Sequence, residues 1–262
     1  MVRVVTWNIL HGGGPVRTPE IALALHALAP DVVALCEFRA ARGSQIRGVL
    51  AGAGLTYQAV SCQGDGNGVL LASRWALEPA HPSPAGFEGR WLGARCPALG
   101  VTFCAVHAPD ETDRPRQAAF WGALIDLARH VENSADAVDS ALIVLGDANL
   151  GRRGQDGDAF RGEPLLGAFL TLGMRDAWRW ANPDAREPSW VGALGERRLD
   201  AAYLSRALWD AILDVRFEHG LRQGGLSDHS PLVLNLRLTP KREAPYRSGL
   251  FGGGDREDGG EG

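Results

Sequence analysis

Short apolar runs alternate with segments of helical periodicity along most of the chain. An apolar run bounded by turn residues is typical of a buried strand, whereas apolar residues three or four positions apart mark one face of a helix. The turn "GDGNG" joins two of the predicted strands. Strands are predicted at residues 2–7, 31–38, 56–62, 67–72, 101–107 and 141–146, and near 201–204, 211–217 and 231–238.

Helices are predicted between these strands, and capping residues mark their ends. Thr18 as N-cap, with Pro19 in the first turn, would begin one helix, and Pro30 would stop it. Thr112 would cap a longer helix that extends to about residue 131. The other helices are predicted at residues 44–53 and 159–172.

Composition divides the chain near residue 238. Of its 262 residues, 45% are hydrophobic and 22% are charged, which suffices for the core of one large domain at residues 1–238. The segment 239–262 is rich in glycine and acidic residues. Such a segment cannot bury enough apolar surface to fold, so we expect it to be a disordered tail.

Charge and cysteine content narrow the class of protein. The net charge is −4, so the composition does not indicate the strongly basic surface that is typical of nucleic-acid-binding proteins. Local basic patches remain possible. No apolar stretch reaches the ~18 residues of a membrane span. The four cysteines show no CxxC spacing, which favours buried free thiols over disulfides or a metal site. We therefore expect a cytoplasmic protein without a membrane span, and a monomer is favoured.

Polar side chains terminate the apolar runs at corresponding places. Four predicted strands lead directly into polar residues, and two later strands are preceded by them. Strands antiparallel to the first four would begin at the edge where those four finish, so all these groups could converge there. The residues after strands are Asn8, Glu37, His107, Asp147 and Asn149, and those before strands are Asp200, Asp228 and His229.

The chemistry of this edge follows from its residue types. Carboxylate oxygens and an asparagine amide suit a hard cation such as Mg²⁺, and the edge lacks the cysteines typical of zinc. Asp147 could deprotonate a water, and Asn149 would point the same way if the strand continues through both. His229 could bind phosphate or transfer a proton, with Asp200 fixing its tautomer. Each residue alone has an ordinary structural explanation, such as an ion pair between Asp200 and Arg198.

The motifs around these residues resemble a known family. In order, "TWNI", "ALCE", "VHAPD", "GDAN", "RRLDAAYLS" and "LSDHSPL" are similar to the motifs of the endonuclease/exonuclease/phosphatase superfamily, which includes deoxyribonuclease I. The resemblance spans residues 3 to about 238. It implies an α/β four-layer sandwich like that of DNase I, in which two packed mixed β-sheets are flanked by helices. It also implies a divalent-metal site at one edge that hydrolyses a phosphodiester or a phosphomonoester.

The resemblance carries metal-binding roles onto three positions. Asn8 and Glu37 resemble metal ligands, and Asp228 is expected near the metal. Mg²⁺ is the implied cation, with Mn²⁺ as an alternative.

Catalytic roles are carried over in the same way. Asp147 resembles the base or water-orienting group, and Asn149 resembles a phosphate contact. Asp200 resembles the partner of the catalytic His229. His107 occupies a position where exonuclease III-like apurinic endonucleases usually carry tyrosine. A histidine at this position is more similar to the deoxyribonuclease I, sphingomyelinase and inositol-phosphatase branches of the family. His107 therefore weighs against a role in base-excision repair without excluding it. The short stretch from Trp190 to Asp200 leaves little room for a long DNA-binding insertion.

The motif "HGGG" at residues 11–14 resembles the oxyanion loop of lipases and esterases. Such enzymes also need a GxSxG nucleophile, and the nearest string, "GLSDH", lacks the final glycine. We therefore expect the glycines to form a flexible loop beside the site, or simply a linker.

The substrate is less constrained than the chemistry. We expect a phosphorylated substrate, and nucleic acid is one candidate class. Trp91 and Trp190 could stack on a base or pack in the core. An Mg²⁺-dependent hydrolase is favoured over a catalytically silent binding module because the whole set of polar residues is present; a small-metabolite or lipid-headgroup phosphatase is the other alternative. Two or three of the following arginines are expected to touch substrate: Arg39, Arg42, Arg114, Arg116, Arg152, Arg153, Arg197 and Arg198.

Overall fold

Two six-stranded mixed β-sheets form the centre of the computed structural model. It describes residues 1–62, 64–134, 140–193 and 195–241, so nearly all of the predicted tail lies outside the described residues. The strands are β1 Val2–Asn8, β2 Val32–Phe38, β3 Tyr57–Val60, β4 Gly68–Ser73, β5 Glu78–Pro79, β6 Trp91–Cys96, β7 Val101–His107, β8 Leu142–Asp147, β9 Arg175–Asp176, β10 Trp190–Gly192, β11 Gly195–Arg197, β12 Asp200–Leu204, β13 Ile212–Phe217 and β14 Leu232–Leu236.

Helices cover the outer faces of both sheets. Their amphipathic sequences place apolar side chains against the strands. The α-helices are α1 Gly14–Ala27, α2 Ser44–Gly52, α3 Arg114–Glu132, α4 Glu163–Thr171, α5 Ala177–Ala181 and α6 His219–Gln223, and short 3₁₀ helices lie at His11–Gly13, Ala40–Arg42 and Arg206–Ala211.

Three buried clusters show how the layers pack. The central cluster joins the facing sides of the sheets, for example Val4 and Val32 from one and Phe103 and Leu145 from the other. A second cluster packs α3 and α4 on one sheet, and a third packs α1 and α2 on the other. This is the predicted four-layer α/β sandwich, so that prediction is confirmed.

Strand direction gathers the polar residues at one edge. The strand order is β13-β14-β1-β2-β4-β3 in the first sheet and β5-β6-β7-β8-β12-β9 in the second. β1 runs parallel to β2, and β7 runs parallel to β8, so each pair ends on the same side. β14 is antiparallel to β1, and β12 is antiparallel to β8 with Asp200 opposite Asp147. We call the side where β1, β2, β7 and β8 end the polar edge.

Gly146 permits the close approach of β8 to β7 just before this edge. Its φ is +143°, and a Cβ atom there would lie 1.9 Å from the carbonyl oxygen of Val106. Such an overlap could not be relieved without moving the backbone of β7, so only glycine fits the position that precedes Asp147.

Two predicted helix starts are wrong. α1 begins at Gly14 with Pro15 in its first turn, so Thr18 lies inside the helix and its hydroxyl donates to the carbonyl oxygen of Gly14. α3 is capped by Asp113, whose carboxylate accepts from the Arg116 amide at 3.1 Å. The residues that mark the helix starts are therefore Pro15 for α1 and Asp113 for α3.

The sequence predicts no strand between residues 74 and 100. This prediction is wrong for β6, which lies within that segment. Trp91 lies in this strand with only 4% of its surface exposed, and its indole nitrogen donates to the carbonyl oxygen of His81 at 2.9 Å. It therefore packs in the core and cannot stack on a substrate base. Cys36, Cys96 and Cys104 are buried, whereas Cys62 is partly exposed, so the prediction of burial is wrong for Cys62. Among the described helices, none combines the length and apolar character needed to cross a membrane.

Candidate active site

Two carboxylates converge on one amide at the polar edge. The Asn8 Nδ2 atom, at the end of β1, donates to Glu37 Oε1 at 3.2 Å and to Asp147 Oδ2 at 3.0 Å. Asn8 and Asp147 are buried. Residues from both sheets thus meet at one point, as the strand ends predict.

A bulge in β2 aims Glu37 into this cluster. The pairing of β2 with β4 shifts between Cys36 and Phe38, and Glu37 between them has a left-handed φ of 57°. Bulges commonly re-aim a side chain in this way, and a non-glycine residue at positive φ is strained. Glu37 Oε2 accepts from the His11 amide at 2.8 Å and from Asn67 Nδ2 at 3.1 Å.

His229 and Asp200 form a buried pair beside Asp147. The His229 Nδ1 atom lies 2.8 Å from Asp200 Oδ2, which also accepts from the Ser189 hydroxyl at 2.7 Å. The other ring nitrogen of His229, Nε2, lies 3.8 Å from Asp147 Oδ2. The carboxylate of Asp200 therefore fixes the ring so that Nε2 faces Asp147, as the sequence suggested.

The loop that carries His229 is held to the first strand. Trp7 donates from its indole nitrogen to the His229 carbonyl oxygen at 2.9 Å. The Ser227 hydroxyl donates to the Asn8 carbonyl oxygen at 2.6 Å. These bonds fix the backbone of His229 relative to Asn8, so the imidazole and the Asn8 end of β1 are positioned together.

The protonation states at this site depart from ordinary values. Burial opposes a charge on His229, but the carboxylates of Asp200 and Asp147 outweigh it and raise the pKa of His229 to about 9. Burial raises the pKa of Asp147 to about 7, even though the charge of His229 acts in the opposite direction. At neutral pH His229 therefore carries a proton, and Asp147 is poised between its two forms.

These values predict how the stability of the metal-free protein depends on pH. The pKa of His229 is higher in the folded protein than in the unfolded chain, so its contribution is complete below about pH 6.5 and is lost as the pH rises through about 9. Urea unfolding in EDTA should show a falling free energy of unfolding from pH 7 to 9. The double variant His229→Gln, Asp147→Asn has neither titrating group, and an equal fall in it would contradict this origin.

His107 completes the cluster from the end of β7. Its Nε2 atom lies 3.7 Å from Asp147 Oδ2 and 3.9 Å from Glu37 Oε1. Burial and the positive charge of Arg90 lower the pKa of His107 to about 4 despite the opposing charge of Glu37. His107 is thus neutral at neutral pH, whereas His229 is charged.

Asn149 reaches the site by a different route from the one expected. β8 ends at Asp147, and Asn149 has a left-handed φ of 46°, so the two side chains do not lie on one continuous strand. The prediction of a continuing strand is wrong because the backbone turns after Asp147. The backbone amide of Asn149 still donates to Asp147 Oδ1 at 3.1 Å. The side-chain Nδ2 atom of Asn149 donates to the Ala108 carbonyl oxygen at 2.8 Å.

Asp228 lies next to His229 in sequence but has its own partners. Its Oδ2 atom accepts from the Trp190 indole nitrogen at 2.9 Å, and Ser227 approaches its Oδ1 atom at 3.5 Å. Among the described contacts, none joins the Asp228 carboxylate to Glu37 or Asn8. Its charge nevertheless contributes to the raised pKa of His229, so it acts on the same site.

The glycines at residues 12–14 form a packed turn, which corrects the prediction of a flexible loop. Gly12 and Gly13 are buried at positive φ, and a Cβ on Gly13 would lie 2.6 Å from the Ile21 side chain. This turn places the His11 amide against Glu37. The histidine ring of His11 also lies there, with Nδ1 2.8 Å from Glu37 Oε2.

One of the arginines expected around the edge is buried elsewhere. Arg198 Nε donates to Asp156 at 2.8 Å, and its Nη2 atom donates to Asp176 at 2.7 Å. Asp156 also accepts from Arg179, which makes a buried network of two arginines and two aspartates. Arg198 is therefore not among the arginines available to a substrate, and its partners are Asp156 and Asp176 instead of Asp200.

Several residues of the site were missed in the sequence. Asn67 lies where the predicted turn meets the predicted strand at 67–72, and Ser189 and Arg90 precede β10 and β6, which the sequence did not predict. Arg90 Nη1 donates to the carbonyl oxygen of His107 at 3.2 Å. Their signal is weak because each lies in a loop, and the path of a loop does not follow from the local hydrophobic pattern.

The donor set fits a hard divalent cation near Glu37. The residues around its carboxylate are amides and imidazoles, and no arginine or lysine among the described residues forms an ion pair with it. Burial would raise the pKa of Glu37, but His107 and the hydrogen bonds of His11 and Asn8 lower it, so it stays ionised. Oxygen ligands with net negative charge are those that Mg²⁺ prefers.

A second group of possible ligands suits a proton better than a cation. Asp147, Asp200 and His229 have ligand atoms within 4.8 Å of one another. The hydrogen bond between Asp200 and His229 uses one atom of each, and the protonated imidazole would repel a cation. The chemistry at Glu37 therefore suits a cation, and the chemistry at His229 suits a proton.

Comparisons with known proteins agree with this fold. A model of the endonuclease/exonuclease/phosphatase family matches residues 5–229. No curated protein sequence matches significantly. The 3′ phosphatase NExo from Neisseria, solved with a product DNA hairpin, is 21% identical, with a TM-score of 0.75 over 90% of this chain and 99% of that chain.

Two further solved structures are similar. The 3′–5′ exonuclease NExo from Neisseria meningitidis is 22% identical, with a TM-score of 0.75 over 90% of this chain and 99% of that chain. An AP endonuclease from Archaeoglobus fulgidus is 18% identical, with a TM-score of 0.73 over 90% of this chain and 100% of that chain. At these identities the likeness establishes the shared fold.

Proposed function

The chain belongs to the endonuclease/exonuclease/phosphatase family, and from this premise we propose that it hydrolyses a phosphate ester with the help of a divalent cation. The observation that carries the proposal is the meeting of Glu37 and Asp147 at Asn8, with the protonated His229 3.8 Å from Asp147. A cation-binding carboxylate, a base and a proton-bearing group are thus held together.

Glu37 and Asn8 would hold the cation, which we propose to be Mg²⁺ or Mn²⁺. Asp228, fixed by Trp190, would add negative charge close by. When bound, the cation supplies positive charge that offsets the charge developing on the phosphate oxygens.

The other residues would divide the work of proton transfer and binding. Asp147, in its ionised form, would orient a water and accept its proton for in-line attack on phosphorus. His229 would donate from Nε2 to a phosphate oxygen, and Asp200 would stabilise its positive charge. The neutral His107 and Asn149 would contact the phosphate or the leaving group.

We propose nucleic acid as the first substrate class to test. Two of the similar structures are named as a 3′ phosphatase with DNA and an exonuclease. Arg90 and Arg116, anchored on the carbonyl oxygens of His107 and Gly86, place two positive charges near the polar edge. Such guanidinium groups suit the phosphates that flank a cleaved bond.

A substrate panel with Mg²⁺ or Mn²⁺ tests this proposal. It contains plasmid, single-stranded DNA, RNA, abasic duplex, inositol phosphates and sphingomyelin. We expect turnover of at least one nucleic acid, with affinity that falls steeply as salt increases. Turnover confined to inositol phosphates or sphingomyelin would replace the substrate class, and no turnover of any phosphate ester would favour a silent binding module.

The cation site has its own prediction. Glu37→Gln should raise the Mg²⁺ concentration needed for half-maximal rate by about 100-fold, because even outer-shell partners of metal ligands contribute 10- to 100-fold to affinity. Mn²⁺ titration by calorimetry measures the same change without turnover. Glu78→Gln, an exposed change on β5, is the matched control. Unchanged Mn²⁺ affinity in Glu37→Gln would remove Glu37 from the metal site.

A further inference from the structure

A cavity lies away from the polar edge, between α4, β9 and α5. Its volume is about 360 Å³, and its wall includes Arg152, Arg175, Arg179, Trp180 and Trp209. None of the residues assigned to the cation or to catalysis lines it. The volume lies within the range of about 300 to 1,000 Å³ that is typical of small-molecule sites.

Two tryptophans provide flat walls in this cavity. Trp180 has 48% of its surface exposed, so its indole is accessible to a ligand. The Arg175 guanidinium carbon lies 3.8 Å from the centre of the Trp209 ring and 5.4 Å from that of Trp180. A planar ring entering the cavity would therefore meet an exposed indole face and a stacked cation.

The cavity also holds guanidinium groups that suit an anion. Among the described residues, neither Arg152 nor Arg175 has a carboxylate within ion-pair distance. Arg179 is only 6% exposed, and its buried Nε–H has no hydrogen-bond partner. The Nη atoms of Arg179 already donate to Asp156 and to backbone carbonyl oxygens, so the positive charges left for an anion are those of Arg152 and Arg175.

The negative charges nearby are mostly engaged. Asp176 also lines the cavity, but its carboxylate accepts from Arg198 at 2.7 Å and from the Arg179 amide at 3.1 Å. Asp210 is close enough to act on the charge of Arg175. The available groups are therefore mainly cationic.

We propose that this cavity binds a nucleoside monophosphate, with its base against Trp180 and its phosphate between Arg152 and Arg175. Stacking surface and guanidinium groups occur together here, and a nucleotide is the ligand that uses both. The ligand could be a free nucleotide or the terminal nucleotide of a strand. The proposal does not depend on hydrolysis, because the catalytic residues lie outside the cavity.

Binding of AMP to the full chain in EDTA tests the proposal, since hydrolysis is then suppressed. Calorimetry should give saturable binding of AMP, at least about tenfold tighter than that of adenosine or inorganic phosphate. Trp180→Ala should weaken AMP binding about tenfold, and Trp180→Phe should retain most of it, because a base stacks on either ring. Arg175→Met should weaken it by a similar factor.

Two control variants locate the site. Arg129→Met removes an exposed arginine of α3 and should leave AMP affinity unchanged. His229→Ala should also leave it unchanged, since it alters only the polar edge. If His229→Ala abolished binding while Trp180→Ala did not, AMP would be occupying the catalytic site, and the proposal would be wrong.

The remaining arms identify the source and the class of ligand. Tighter binding of a 5′-phosphorylated oligonucleotide than of AMP would assign the cavity to a strand end, and the reverse order would assign it to a free nucleotide. Phenyl phosphate that binds as tightly as AMP would overturn the nucleotide assignment, as would AMP binding no better than inorganic phosphate.

Discussion

Replacement of His229 by alanine should lower the Mg²⁺-dependent rate of phosphodiester hydrolysis by about 10⁴-fold, the upper range for loss of a proton-transferring group. The side chain is protonated at neutral pH, with a pKa raised to about 9, and its free nitrogen faces Asp147. The variant loses both the donor to the phosphate and the positive charge that Asp200 stabilises. Initial rates on bis(p-nitrophenyl) phosphate measure the effect.

A second substitution separates charge from structure. His229→Gln keeps a hydrogen-bond donor for the buried Asp200 but carries no charge, so it should fold normally and still lose most of the rate. His26→Ala, on the exposed face of α1, serves as the matched control and should keep full activity. Near-normal turnover by either His229 variant would remove His229 from catalysis.

Asp147→Asn should lose about 10² to 10⁴ in rate while Mn²⁺ still binds, because the amide cannot accept the proton of the attacking water. The variant should also raise the melting temperature of the metal-free protein at pH 8. Burial raises the pKa of Asp147 to about 7, so the folded protein pays for its charge above that pH, and asparagine removes the cost.

The pH profile provides a further check on Asp147. In the wild-type protein the rate should fall on the acid side as Asp147 becomes protonated, and the bound cation should move this limb below pH 7. Asp126→Asn, an exposed change on α3, is the control and should alter neither rate nor melting temperature. A wild-type rate in Asp147→Asn would show that another group accepts the proton.

The strand ends were predictable because a residue's place in a sheet follows from local pattern. Asn8, Glu37, His107 and Asp147 each follow a buried apolar run, and parallel strands must end on one side. The opposing position of Asp200 follows from antiparallel pairing with β8. The positions of these strand-end residues can therefore be predicted without knowing the paths of the loops.

The contacts made by loops could not be predicted from the sequence. Asn67 meets Glu37 only because β2 bulges and the hairpin turn folds back over it, and the left-handed φ of Glu37 leaves no mark in the letters. The arginine-rich loops beside the motifs predict Arg198 at the edge. Its burial depends on Asp156 and Asp176, which are distant in sequence and supply the compensating charge.

The fit of Gly146 against Val106 has a consequence for directed evolution of this protein. A saturation library at position 146 should return glycine alone among active clones, because every other residue would push the backbone of β8 away from β7 and displace Asp147 with it. Attempts to broaden specificity are better directed at Arg90, in the loop before β6, and at Arg116, in the first turn of α3, where side chains can change without moving the strands.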